Sequence, residues 1–89
     1  MNRMGAAEPL QFPCSFPLKV MGRNTEAFEH AVRGIVGRHV PGECVEYADR
    51  QSGGGKYLSI TATFTAASRE QLDALYRDLN GHELVVMTL

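Results

Sequence analysis

Between residues 56 and 65 the chain alternates without a break: KYLSITATFT. Leu58, Ile60, Ala62 and Phe64 recur at every second position, with Tyr57, Ser59, Thr61, Thr63 and Thr65 between them. A period of two sends these sets to opposite sides of a strand, so one face must meet a core and the hydroxyl-bearing face can meet water. A shorter form of the pattern occupies FPLKVMG (16–22), where Leu18 and Val20, continued by Phe16, oppose Lys19 and Met21. Pro17 lacks an N–H and belongs near the strand start or on an unpaired side. CVEYADRQ (44–51) predicts another strand, with Val45 and Tyr47 pointing one way and Glu46 and Arg50 the other. ELVVMTL (83–89) predicts a last strand, expected to be held in the sheet because a free terminal strand frays.

Two stretches carry helical spacing instead. Phe28, Ala31, Val32, Ile35 and Val36 follow i, i+3, i+4, i+7, i+8. Asn24 or Thr25 can cap this helix, and Glu26 and Glu29 complement its positive end. Arg33 and Arg38 sit toward its negative end, and Pro41-Gly42 stops it. Gly34 and Gly37 weaken it, unless they serve close packing. Ser68 and Gln71 form an S-x-x-Q capping box ahead of Leu72, Leu75, Tyr76 and Leu79, and Gly81 is placed to end that helix in the left-handed conformation.

The order strand, helix, strand, strand, helix, strand is the split βαβ, or ferredoxin-like, arrangement. It predicts an α+β fold, βαββαβ, with two helices on one face of a four-stranded antiparallel sheet. Right-handed crossovers put the first and third strands in the centre and leave the other sheet face open. Eighty-nine residues make one domain, expected over residues 12–89 behind a disordered tail at 1–11. A core this small would gain from further surface buried in an oligomer. The net charge of −1 gives no overall attraction to nucleic acid or to an anionic membrane. Two cysteines, Cys14 and Cys44, form no disulfide framework and read as reduced thiols. The N-terminus has no apolar signal-peptide core and no run approaches a membrane span, so the expected location is cytoplasmic.

SGGGK (52–56) raises the question of phosphate binding. A P-loop needs G-x-x-x-x-G-K-[ST] between a strand and a helix, whereas here Tyr57 follows Lys56 and the next element is a strand. The glycines therefore read as a hairpin turn, with a backbone nest as the lesser alternative. Gly22, Arg23, Asn24 and Thr25 are the better ligand-binding candidates, because a strand end there meets a helix N-terminus with a cap hydroxyl and a guanidinium beside it. The plainer reading makes Gly22 a tight-turn residue, Asn24 or Thr25 a cap, and Arg23 a solvated charge. Nucleic acid is disfavoured: the outward face of the third strand offers one aromatic, Tyr57, and Glu43, Glu46 and Asp49 make the second strand acidic. No C-x-x-C occupies the first turn, and His30, His39 and His82 lack ligand spacing, so no metal and no cofactor are expected. VMGRNTEAF is superficially similar to the acylphosphatase phosphate loop, but the glycine-rich loop is missing and Glu29 stands where an arginine is wanted. With no coherent nucleophile–base set either, the chain is not expected to be an enzyme.

FPCSFPLKVMG (12–22), RHVPGE (38–43), the SGGGKYLSITATF hairpin and the terminal VVMTL together resemble the YbeD-like family of small uncharacterised bacterial proteins. The resemblance covers residues 12–89. It implies a ferredoxin-like fold similar to the ACT regulatory domain, whose members commonly bind amino acids near the turn after the first strand, at interfaces between paired domains. On this footing the expected role is a non-catalytic regulatory or protein-interaction domain, whose partner is an unknown protein or a second copy. The alternative is a sensor of a small anion or amino acid at Gly22–Thr25, and a remote one is an acylphosphatase-like hydrolase.

Overall fold

The computed structural model describes residues 10–40 and 45–89. The chain runs β1 (Cys14–Arg23), α1 (Glu26–His39), β2 (Glu46–Ser52), β3 (Tyr57–Ala66), α2 (Arg69–Asn80) and β4 (Val85–Thr88). The strands form one antiparallel sheet in the order β2-β3-β1-β4. The expected βαββαβ architecture is the observed one, with β1 and β3 central. The expected tail at 1–11 and the stop at Pro41-Gly42 fall largely or wholly outside the described residues, as does Cys44. Cys14 is a half-buried free thiol.

β3 fulfils its alternation: Leu58, Ile60, Ala62, Phe64 and Ala66 are buried, and the residues between them are not. Its pairing with β1 runs unbroken from Cys14↔Ala66 to Arg23↔Tyr57, which places Leu18 and Val20 on the same buried face. Phe28, Val32, Ile35 and Val36 of α1 and Leu72, Leu75 and Leu79 of α2 close the core over that face. Each fully buried side chain of this kind contributes about 1.5–3 kcal/mol. Phe16 continues the face outward and packs against Phe64 and edge-on against Tyr76, with centroids 6.2 and 6.4 Å apart.

β1 begins two residues before the expected start at Phe16, so Pro17 lies within a central strand. Its missing N–H is accommodated by the shortness of β4. Leu89 N–H donates to the Lys19 carbonyl at 2.8 Å, so the backbone groups of Lys19, and of Pro17 two residues earlier, face the β4 side. The β4 pairing covers Val20 to Gly22 and, among the described residues, sets no strand partner opposite Pro17 on that side.

Three local expectations are corrected. Gly81 ends α2 with φ −85° and ψ −5°, not in the left-handed region, because His82 N–H folds back to the Leu79 carbonyl and the chain leaves through a tight turn. That turn, with His82 Nδ1 accepting from Leu84 N–H, delays β4 to Val85. The capping box is half formed: Ser68 accepts from Gln71 N–H, but the Gln71 oxygen accepts from Ala67 N–H and its nitrogen donates to the His39 carbonyl at 2.8 Å. Gln71 thus ties the start of α2 to the end of α1. Gly34 and Gly37 do not serve close packing, since both are exposed and a Cβ on either would meet nothing within 4 Å.

Glycine is demanded elsewhere on the chain. A Cβ on Gly22 would lie 2.5 Å from the Phe28 ring and 2.6 Å from the Leu84 carbonyl oxygen. Gly22→Ala should therefore force Phe28 or β4 aside and lower the melting temperature by several degrees or more, whereas Gly34→Ala and Gly37→Ala should each stabilise by about 0.5–1 kcal/mol. Thermal and urea unfolding of the three variants reads both signs; a neutral Gly22→Ala would contradict the close approach.

His39 Nε2 donates to Asp78 Oδ2 at 2.6 Å, joining the ends of the two helices. That hydrogen bond first, and then the charges of His39, Arg38 and Arg77, hold the Asp78 carboxyl below the usual aspartate range. A depressed carboxylate stabilises the fold above its unfolded pKa and loses that contribution as pH falls through the folded value. The stability difference between the native chain and Asp78→Asn should thus be present at neutral pH and vanish as pH falls below about 4, which denaturant titration across pH checks.

Candidate functional site

The β1–α1 turn and the glycine hairpin, far apart in sequence, are brought together by the β1–β3 register. Arg23 pairs with Tyr57, so the residues after Arg23 meet those before Tyr57. Asn24 clamps the two: its backbone N–H donates to the Lys56 carbonyl and its side-chain amide to the Gly55 carbonyl, both at 3.0 Å. The hairpin itself is built on left-handed backbone, with φ of +62°, +69° and +89° at Gly53, Gly54 and Gly55, a run for which side-chain-bearing residues are strained. The turn reading of SGGGK is thereby the observed one.

Each of the four candidate residues has a place in this junction. Gly22 is buried beneath the Phe28 ring. Arg23 lies over the Tyr57 ring, 5.8 Å from its centroid. Asn24 is the clamp just described. Thr25 is the N-cap, its hydroxyl accepting from Phe28 N–H at 3.1 Å. The structure therefore brings the four together in sequence but disperses their polar groups: Thr25 turns to the helix, Asn24 to the hairpin, and Arg23 to the sheet face that carries Tyr57.

That sheet face is left uncovered by both helices. Register assigns its residues, because cross-strand partners point the same way. Arg23 and Tyr57 share one row; Met87, Met21, Ser59 and Arg50 the next; Lys19, Thr61 and Ala48 the one after. A shallow depression of about 220 Å³ opens there, lined by Lys19, Ala48, Asp49, Arg50, Ser59 and Thr61. Ser59 and Thr61 of β3, with their hydroxyls, lie between Lys19 of β1 and Ala48 and Arg50 of β2. Asp49 pairs with Ile60, a core residue, so its side chain belongs to the helix-covered side of β2. By register the described residues of the bare face are Lys19, Arg23 and Arg50 against Glu46, with Asp49 reaching it only at the rim of the depression, so the face is not acidic. Glu43 lies outside the described residues.

This composite surface was only partly visible in the sequence. Alternation already put Lys19 with Met21 and Ser59 with Thr61. The position of Asp49 required the β2–β3 register, although its parity with Tyr47 carried the hint. The Asn24 clamp had no local signature, since it depends on which hairpin residue falls opposite the turn.

The helix-covered side holds a different kind of contact. Arg33 of α1 lies 4.1 Å from the centroid of the Tyr47 ring on β2 and pairs with Glu29 at 3.4 Å. Burial pushes the Tyr47 hydroxyl above the usual tyrosine range, and the Arg33 charge opposes that shift. This packing fastens α1 over the β2 edge. Among the described residues no group of three or more His, Cys, Asp or Glu is arranged to hold a metal ion, and no helix is long and apolar enough to cross a membrane.

A family model described as a protein of unknown function (DUF493) matches residues 7–89. A UPF0250 protein of Chromobacterium violaceum is 41% identical over 83 residues, covering 92% of this chain and 93% of that protein. Another, from Leptothrix cholodnii, is 43% identical over 81 residues, covering 90% and 89%. The solution structure of protein HP0495 from H. pylori is similar with a TM-score of 0.76 over 100% of this chain and 98% of that one; its 14% identity speaks for the fold alone. The matches extend across both helices, all four strands and the glycine hairpin, and the chain belongs to the DUF493, or UPF0250, family of small proteins, the YbeD-like family that its motifs resemble.

Proposed function

We propose that this chain is a non-catalytic interaction domain of the cytoplasm, regulatory in the manner of an ACT domain, that works by presenting a surface to a macromolecular partner. The observation that carries this reading is the division of labour across the sheet. One face is consumed by the core and both helices, while the other is bare and mixes cations, hydroxyls and the methionines Met21 and Met87. The β4 edge adds to it. Val86, Met87 and Leu89 are 59%, 44% and 60% exposed, and no charged residue interrupts Val85–Leu89. An edge without charged side chains is open to pairing, with a second copy as one occupant.

A second reading, a sensor of a small anion or amino acid at Gly22, Arg23, Asn24 and Thr25, is favoured by the Asn24 clamp, which holds the helix start beside the Gly53–Lys56 loop. One experiment separates the two. Isotope-labelled protein is mixed with bacterial cytosolic extract split by a size filter, and amide shifts are mapped. The interaction reading expects shifts or broadening with the macromolecular fraction. Shifts confined to Gly22–Glu26 with the small-molecule fraction, and lost in Arg23→Ala, would replace it with the sensor. Turnover of acetyl phosphate by the purified chain would overturn the non-catalytic part.

A further inference from the structure

The bare sheet face has a charge that the chain as a whole does not. The protein carries a net −1, yet by register this face holds three cations, Lys19, Arg23 and Arg50, against the one side-chain carboxylate of Glu46 among the described residues, with Asp49 at the rim of its depression. Among the described residues the ion pairs are Arg33–Glu29 and His39–Asp78, both away from this face. The three cations are therefore not neutralised by a carboxylate within the described chain. The Arg23 guanidinium lies over the Tyr57 ring and, among the described residues, forms no ion pair.

Three features decide what kind of partner suits this surface. The depression between Lys19 and Arg50 is shallow and, at about 220 Å³, smaller than the roughly 300–1,000 Å³ of pockets that enclose small molecules. A ligand confined to it would stay largely in solvent, so useful affinity needs contacts that continue across the face. Next to the cations lie Met21 and Met87, opposite one another in register, whose flexible thioethers adapt to apolar side chains rather than to phosphates. Finally, Tyr57 is the one aromatic side chain that register places on this face, and it already lies beneath Arg23, so the face lacks the row of stacking rings that single-stranded nucleic acid uses.

We propose that the open sheet face docks a segment of another protein that presents carboxylate and apolar side chains on one and the same side, the carboxylates lying between Lys19 and Arg50 over the hydroxyls of Ser59 and Thr61, and the apolar groups lying on Met21 and Met87. The pairing is electrostatically complementary and of mixed polarity, as at ordinary transient interfaces. This inference rests on the interaction reading above and names the face and the chemistry of the partner.

The test uses the full chain, isotope-labelled, with a capped synthetic peptide of repeating Asp-Ser-Leu-Ser as the probe, a spacing that sets aspartate and leucine on the same side of an extended chain. Amide shifts are expected at Lys19, Met21, Arg50, Ser59, Thr61 and Met87, and not on α1 or α2. Lys19→Glu with Arg50→Glu, both exposed positions, should weaken binding by about tenfold or more while the thermal transition stays near that of the native chain. Binding should also fade at about 1 M salt, where screening shortens to about 3 Å. A matching lysine–leucine peptide should leave the face unmoved. Equal shifts from that control, no shifts on the open face, or stronger shifts there from oligo-uridylate RNA than from the acidic peptide would each overturn the proposal. Failure here is distinct from failure of the interaction reading. If the macromolecular extract fraction still shifts residues on the helices or the β2 edge, the domain binds partners but not in this way.

Discussion

The pairing of β1 with β3 is the constraint from which the rest of the structure follows. It is continuous over both strands, from Cys14↔Ala66 to Arg23↔Tyr57. Because side chains alternate, this single register sends Leu18, Val20, Ile60, Ala62 and Phe64 to one side and Lys19, Met21, Ser59, Thr61 and Thr63 to the other. A slip of one residue would turn one strand over relative to the other and bury either Lys19 and Met21 of β1 or the threonines of β3 under the helices. The same register carries the β1–α1 turn to the glycine hairpin, where Asn24 locks them, and sets the angle at which α1 begins. Core, turn junction and exposed face are consequences of one alignment.

The two edges of the sheet are treated differently. β2 carries Glu46, Asp49 and Arg50 and is fastened from the helix side by Arg33 over Tyr47. β4 is short, uncharged and held on one side only, by β1. Its shortness is what admits Pro17 into a central strand, and its apolar residues are the largest exposed ones near the sheet. The molecule therefore concentrates its unsatisfied surface on the bare face and the adjoining β4 edge, while the helices are joined to each other by Gln71 and by His39 with Asp78.

Much of this was legible from residue spacing because periods of two and of 3.6 report burial directly. The β3 alternation, the α1 and α2 stripes and the hairpin glycines all follow from that. What escaped was whatever depends on tertiary registration. Gly81 fits the pattern of a left-handed cap, yet the tight turn to His82 removes the need for it. Gly34 and Gly37 suggest a packing contact, yet they face open space on α1. Asp49 adds to the apparent acidity of β2 until its partner, Ile60, shows which side it takes. In the candidate site the four residues 22–25 were legible as a junction. Their division among Phe28, Tyr57, Gly55 and the helix cap was not, because three of those partners lie outside the turn itself.

The central claim is that the sheet face opposite the helices is bare in the free protein and available to a partner. Methyl-labelled methionine and isoleucine, observed by NMR with a soluble paramagnetic agent, test it most directly. The account predicts strong relaxation of the Met21 and Met87 methyls and little effect on Ile60, at every protein concentration. Shielded Met21 and Met87 methyls in the isolated protein would contradict it, because the face would then already be covered, by a second copy or by the chain itself.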